Sequence, residues 1–226
     1  MPKWQAIVFD LDDTLYPERD FVLSGFWAVA QWGERHLGIQ RDQGYAHLCA
    51  LYESGVRGDT FNRWLAAQGI TDAMLISRLV QVYREHVPCL TPFPEVPDLL
   101  TRLHRRYRLG LLSDGYLDVQ CRKLAALGLE SYFDAIVFSD EWGREAWKPS
   151  LKPFQAILRQ LEVAASAAIY VADNPLKDFV GARQVGMFTV RILRPGGEYA
   201  HLVPPTPQHA PDHTINRVSE LERLLN

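Results

Sequence analysis

The sequence has too few cysteines to be held together by disulfides. Cys49, Cys89 and Cys121 are all it carries, and they form neither a CxxC pair nor a paired framework, a usage that suits a reducing compartment. No apolar run reaches the ~18 residues a spanning helix needs, and no basic-then-apolar leader opens the chain. The expectation is a cytoplasmic protein with no membrane partner. Positive charge is not in surplus either. A formal net charge of −3 argues against a partner whose many phosphates must be neutralised, so no nucleic acid is expected. The one basic run, Arg102 to Arg108, reads as the last turn and solvated face of a helix, where cations complement the dipole. Repeats and low-complexity segments are absent. What remains is 226 residues of ordinary globular composition, one large domain or two small ones with ample material for a core.

The rest of the chain is organised around Ala6-Ile7-Val8-Phe9-Asp10-Leu11-Asp12-Asp13-Thr14-Leu15. The apolar run predicts a strand buried on both faces, and open α/β sheets place their ligands beyond the carboxyl ends of such strands. If extension persists, Asp10 and Asp12 share a face while Asp13 turns away. Converging carboxylates repel, so either a shared proton or a bound cation must offset them. Hard oxygen ligands favour Mg²⁺. A solvated acidic turn with aspartates as local caps is the alternative on this stretch alone.

From Tyr16 to Leu90 strand-like runs are missing. Phe21, Gly25, Ala28, Trp32 and His36 recur at helical spacing, and further helices are predicted over Gln43–Glu53, Thr60–Gln68 and Thr71–His86, punctuated by Gly55, Gly58 and Gly69. Trp27 and Trp32 fit the buried face of the first. A proline-rich connector, Thr91 to Pro97, leads out. Helix and strand then alternate: helix Pro97–Arg106, strand Arg108–Leu112, helix Leu117–Leu127 stopped by Gly128, strand Asp134–Ser139, helix Leu151–Leu161, strand Ala167–Ala172, helix Lys177–Val185, strand Gly186–Arg191. A Pro/Gly-rich loop from about Leu193 to Asp212, then His213-Thr214-Ile215 and a helix Val218–Leu225, complete the chain. This rhythm implies βαβ units and a parallel sheet with right-handed crossovers.

Polar chemistry follows the strands. Ser113-Asp114-Gly115 follows the second and opens a turn into a helix, where a hydroxyl and exposed N–H groups suit a phosphate oxygen or stabilise the turn. Lys148-Pro149 precedes a helix and supplies a fixed point charge or an ordinary surface lysine. Asp173 follows the fourth strand, with Asp178 five residues on.

These residues resemble, in order, the four motifs of the haloacid dehalogenase (HAD) superfamily: hhhhDxDxTL at Asp10, a Ser or Thr often followed by Asn-Gly at Ser113, KPxPxxF at Lys148-Pro149-Ser150-Leu151-Lys152-Pro153-Phe154, and GDxxxxDxxgAxxaGm from Asp173. Asp114 stands where Asn is usual, and Ala172 where Gly is usual. The segment Ser139 to Lys148 is about two residues longer than the family's spacing, so Lys152 is a second candidate for the third motif's lysine. The resemblance implies a Rossmann-like parallel sheet with helices on both faces and an inserted all-α cap, with the core at 1–15 and 93–226 and the cap at 16–92. It implies Asp10 as nucleophile and Asp12 as general acid/base. Ser113 and Lys148 would assist catalysis, and Asp114 and Gly115 would lie at the substrate. Mg²⁺ would be held by Asp10, the backbone carbonyl of Asp12 and Asp173, with Asp178 in support.

Within that superfamily Asp12 separates the chain from the dehalogenases, which lack a carboxylate two positions after the nucleophile. The absence of lysine between Tyr16 and Pro92 removes the cap-lysine Schiff base of the phosphonatases. Phosphoryl transfer is left. A phosphatase acting on a small phosphorylated metabolite, a sugar phosphate or a nucleoside monophosphate, is the expectation. A phosphomutase and a non-catalytic binding protein are the alternatives. Tyr16, Arg57, Asp59 and Trp64 are the cap's candidates for substrate selection.

Overall fold

The structure is a computed structural model describing residues 3–225; Met1, Pro2 and Asn226, and with them the outer limits of the expected core range, lie outside the described residues. The chain divides into two compact units, one made of the residues up to Glu18 together with those from Leu90 onward, the other Arg19–Cys89.

The first unit is built on a six-stranded sheet of order β3-β2-β1-β4-β5-β6. Its strands are β1 (Ala6–Phe9), β2 (Arg108–Ser113), β3 (Ala135–Phe138), β4 (Ala168–Ala172), β5 (Phe188–Ile192) and β6 (His213–Ile215). Every pairing is parallel, with Phe9 level with Leu111 on one side and Val171 on the other. The order reverses at β1, so the crevice beyond its carboxyl end is the sheet's topological switch point. Helices cover both faces. Val8, Leu112, Tyr170 and Ala172 pack with Phe154, Ile157 and Phe179, while Ile7, Phe9, Leu109, Leu111, Ile169 and Val171 are fully buried on the other face. Burial on both faces is why these strands read as continuous apolar runs rather than alternating ones.

His213-Thr214-Ile215 is a true strand, paired through Val190, Arg191 and Ile192 of β5. Three residues were too few to show a period of two. The loop before it is tied down rather than free. The Arg191 guanidinium donates to the carbonyls of Asp173, Tyr199 and Leu202, and Arg194 reaches Glu95 and the carbonyl of Thr14.

The helices, in chain order, are α1 (Glu18–Leu37), α2 (Arg41–Glu53), α3 (Thr60–Ala66), α4 (Ala73–Glu85), α5 (Val96–His104), α6 (Leu117–Leu127), α7 (Leu151–Gln160), α8 (Asp178–Val185) and α9 (Leu221–Leu225). In the second unit the side chains of Gln40 and Asp72 accept N–H bonds at the starts of α2 and α4, the usual way to satisfy donors that a first turn leaves unpaired. Trp64 is fully buried at the centre of this unit, among Phe26, Val29, Ile39, Leu48 and Leu79. Its indole N–H donates to the Gly44 carbonyl at 2.9 Å, so it is a packing residue and not a free ring for a substrate. Trp27, expected on the buried face of α1, is 38% exposed with the Arg41 guanidinium over its ring. Asp59 pairs with Arg63, and Arg57 lies over the Tyr52 ring while donating to the Tyr52 and Val56 carbonyls. No described helix is long and apolar enough to cross a membrane.

Candidate active site

At the end of β1 the Asp10 N–H still donates to the Val171 carbonyl, 2.9 Å away, so Asp10 is the last residue the sheet fixes. Its carboxylate is buried and accepts from Lys148 Nζ at 2.6 Å. The lysine is delivered by the segment after β3, where the extra residues coil into two short 3₁₀ turns, Ser139–Trp142 and Arg144–Ala146. The Trp147 indole donates to Asp140 and fastens the end of that segment. The Lys148 ammonium also lies 2.7 Å from Asp178 Oδ1 and donates to the Tyr170 hydroxyl at 2.9 Å. Lys152 is exposed on α7, with its ammonium over the Trp142 ring. Lys148, rather than Lys152, therefore faces Asp10.

Asp173 leaves the end of β4, and Asp178 is the first residue of α8. One carboxylate oxygen from each of Asp10, Asp173 and Asp178 lies within 4.8 Å of the others. Asp178 uses both of its oxygens, Oδ1 on Lys148 and Oδ2 on the Asn174 N–H at 3.0 Å. Burial and the neighbouring carboxylates push Asp173 well above the usual carboxylate range. For Asp10, burial and Asp178 outweigh Lys148 and push it up to about 7. Lys148 is held well above its ordinary value, because Asp10 and Asp178 more than offset the effect of burial. The wider site sets the five carboxylates of Asp10, Asp12, Asp114, Asp173 and Asp178 against the three ammonium groups of Lys123, Lys148 and Lys177. With every carboxyl ionised, that is an excess of two negative charges, which the raised Asp10 and Asp173 relieve by holding protons while no cation is bound. Buried, crowded, all-oxygen donors with such an excess fit a small hard divalent cation.

Asp12 does not join this cluster. Extension ends at Phe9, the chain bends, and Asp13 takes a left-handed φ of 50° while accepting the N–H groups of Glu18 and Glu198. Asp12 is thereby aimed at α6. Its carboxylate accepts from Lys123 Nζ at 2.7 Å, from Gln120 Nε2 at 3.2 Å and from the Tyr16 hydroxyl. Burial pushes this carboxyl up, but the charge and hydrogen bond of Lys123, with Tyr16, outweigh it and hold Asp12 below the usual range. Tyr16, expected among cap residues, is buried in the first unit beside Asp12.

Ser113 ends β2 with its hydroxyl fully buried and without a hydrogen-bond partner. An unpaired buried hydroxyl is costly in a finished core and ordinary at a site awaiting a polar ligand. Asp114 accepts from the Ser139 hydroxyl at 2.6 Å, from the Lys148 N–H at 3.1 Å and from Lys177 Nζ at 3.1 Å. Burial raises its carboxyl, and Lys148 and Lys177 more than reverse that. Gly115 has φ 128°, and a Cβ there would come within 2.3 Å of Gln120 Nε2. Only glycine lets the turn and Gln120 coexist.

Sequence reasoning missed Lys123, Gln120, Lys177 and Tyr170. A signal existed for the first two: Gln120 and Lys123 stand three apart on the apolar face of α6 with Val119, Leu124 and Leu127. Polar residues on a buried face need a partner.

The family described as haloacid dehalogenase-like hydrolase matches residues 7–192. The chain belongs to the haloacid dehalogenase-like hydrolases. It is 31% identical over 229 residues to the glyceraldehyde 3-phosphate phosphatase of Methanocaldococcus jannaschii, an alignment covering 98% of this chain and 96% of the relative. It is 25% identical to the pyrimidine 5′-nucleotidase YjjG of Escherichia coli, covering 99% and 98%. Among solved structures, the magnesium-bound HAD-hydrolase YfnB of Bacillus subtilis superposes with a TM-score of 0.72 at 18% identity, over 99% of each chain. The HAD fold is thus established, and with these relatives the class of enzyme, a phosphoric monoester hydrolase.

Proposed function

We propose that this HAD-like hydrolase is a Mg²⁺-dependent phosphatase that cleaves a small phosphomonoester, a sugar phosphate or a nucleoside monophosphate, through a phosphorylated Asp10. The observation that carries the reading is the Asp10 carboxylate held at 2.6 Å by a buried lysine beside Asp173 and Asp178. The relatives' substrates, glyceraldehyde 3-phosphate and pyrimidine nucleotides, supply the first compounds to try.

Asp10 and Asp173 would hold the cation directly, with the backbone carbonyl of Asp12, while Asp178 orients Lys148 and supports the site. When bound, the cation screens the phosphoryl charge from the attacking carboxylate. Asp10 attacks phosphorus, forming an aspartyl-phosphate and dividing one hard step into two. Ser113 donates its unused hydroxyl to a phosphoryl oxygen, and Lys148 balances charge that builds there. Asp114 and Gly115 shape the turn that presents Ser113. Asp12 passes a proton to the leaving oxygen and later takes one from the water that hydrolyses the aspartyl-phosphate. At rest its carboxyl is held in the ionised form. A phosphate dianion arriving beside it raises that carboxyl again by like-charge repulsion, so substrate binding itself favours the acid form. The helical unit, Arg19–Cys89, acts as the cap.

Phosphate release would be measured from glyceraldehyde 3-phosphate, other sugar phosphates and nucleoside monophosphates, with and without Mg²⁺, for wild type and Asp10→Asn. Turnover that requires Mg²⁺ and vanishes in the variant is the expected result. Turnover that survives Asp10→Asn overturns the covalent route.

A further inference from the structure

Lys123 is a lysine whose ammonium is almost fully buried, on the apolar face of α6 and outside the four motifs. Burying an ammonium is expensive unless it is paired, and its partner here is Asp12. Three donors from two segments meet on that one carboxylate: Lys123 and Tyr16 on Oδ1, Gln120 on Oδ2. Gln120 is itself fixed, donating to the Asp114 carbonyl at 2.6 Å through the space that Gly115 leaves open.

We propose that Lys123, with Tyr16 and Gln120, is the positioning group for Asp12, fixing the rotamer from which its carboxyl reaches the leaving oxygen. The inference rests on the phosphatase reading, in which Asp12 is the acid/base. Beyond the end of the strand an isolated bridge to Tyr16 holds the Asp12 backbone but not its side chain, and the next residue has turned into a left-handed conformation. A carboxylate on such a bend rotates freely unless its oxygens are held. Lys123 touches no reacting atom. It acts by restricting where Asp12 points, and a displacement of about 1 Å in a reacting group can cost on the order of 10²-fold in rate.

The test exploits the leaving group. An alkyl phosphate needs a proton on its departing oxygen, whereas the p-nitrophenolate of p-nitrophenyl phosphate leaves without one. For Lys123→Met, kcat/KM is expected to fall about 30-fold or more on glycerol phosphate and less than about 3-fold on p-nitrophenyl phosphate. Lys123→Arg, which keeps the charge and the donors, restores most of the loss. Tyr16→Phe gives a smaller split of the same sign, and it decides the question if Lys123→Met does not fold by circular dichroism. Equal losses on both esters, or none, overturn the proposal, since a merely structural role moves both together. Asp12→Asn separates the two levels of the argument. A split in Asp12→Asn but not in Lys123→Met or Tyr16→Phe defeats this inference alone. No split in Asp12→Asn defeats the acid/base role of Asp12 in the proposed mechanism, and this inference with it.

Discussion

Lys177 Nζ lies 3.1 Å from Asp114 Oδ2, an ion pair that joins the turn after β2 to the turn after β4. Asp114 occupies the position where an amide is usual in the second motif, and a carboxylate there would repel an incoming phosphate. The pair resolves that conflict. Lys177, immediately before α8, brings its charge to the second motif, and Lys148 and Lys177 together reverse the upward effect of burial on the Asp114 carboxyl.

Removing Lys177 should therefore harm the site through Asp114. Lys177→Met is expected to lower kcat/KM about 10-fold or more, and Asp114→Asn in the same chain to recover part of the loss, because the amide no longer needs the ammonium. The Lys177 side chain is 33% exposed, so solvent screening keeps the coupling modest, about 1 kcal/mol in a double-mutant cycle. Strictly additive losses in kcat/KM would show that the two residues act separately.

Ser113 offers a separation of stability from activity. Its hydroxyl is buried and unpartnered, so Ser113→Ala removes an unsatisfied group and should leave the urea midpoint unchanged or slightly raised. If the hydroxyl binds a phosphoryl oxygen, kcat/KM falls about 10- to 100-fold at the same time. A parallel fall in stability would instead mark the hydroxyl as part of the core.

The sheet was legible because its strands are buried on both faces and announce themselves as apolar runs; β1, β2, β3 and β4 needed no partner to be seen. The same holds for Asp10, Ser113 and Asp173, which stand where those runs stop, whereas Lys148 lies ten residues beyond β3 and was marked by the proline that follows it. Lys123, Gln120 and Lys177 were not legible as site residues. They sit within or just before helices, and their meaning depends on which carboxylate the fold brings opposite, here Asp12 and Asp114. The candidates for substrate selection in the helical segment have contacts that residue type alone does not disclose. Trp64 and Arg57 look like binding residues by type, but the first is enclosed by the packing of its own unit and the second is bonded to neighbouring carbonyls.

Trp64 makes that last point testable. Trp64→Ala should cost about 3–5 kcal/mol in the stability of the helical unit, from lost packing and the orphaned Gly44 carbonyl. Gly33→Ala, whose Cβ would approach Trp64 Cη2 to 2.6 Å, should cost about 1–3 kcal/mol by overpacking. Urea unfolding followed by tryptophan fluorescence and circular dichroism reads both. The milder Trp64→Phe should leave KM within about 2-fold, because the ring touches no substrate; a large rise in KM with unchanged stability would return Trp64 to substrate selection.

The acidic cluster predicts an unusual dependence of stability on pH in protein stripped of divalent ions. Asp10 and Glu18 are each pushed up to about 7, chiefly by burial, and Asp173 is raised well above its ordinary value by burial and Asp178. Between about pH 4 and pH 7 the folded chain therefore binds more protons at these groups than the unfolded chain, and stability falls as pH rises. Each group contributes at most about 1.4 kcal/mol per pH unit in that window. Asp12 and Asp114 are lowered instead. Their contribution is complete above the unfolded carboxylate range and is lost only as pH falls through their folded values, so it does not oppose the trend at higher pH. Mg²⁺ needs the ionised carboxylates, and its stabilisation grows with pH: about 2.7 kcal/mol at a hundred times its Kd, or several degrees in Tm for a chain of this size. Calorimetry with EDTA and with Mg²⁺ at about pH 5 and pH 8 should show Tm falling with pH in the first series and largely restored in the second. Glu18→Gln should flatten the first, and Asp173→Asn should abolish the response to Mg²⁺. A metal-free Tm that rises across this range would mean that the three carboxyls are not held in their protonated forms.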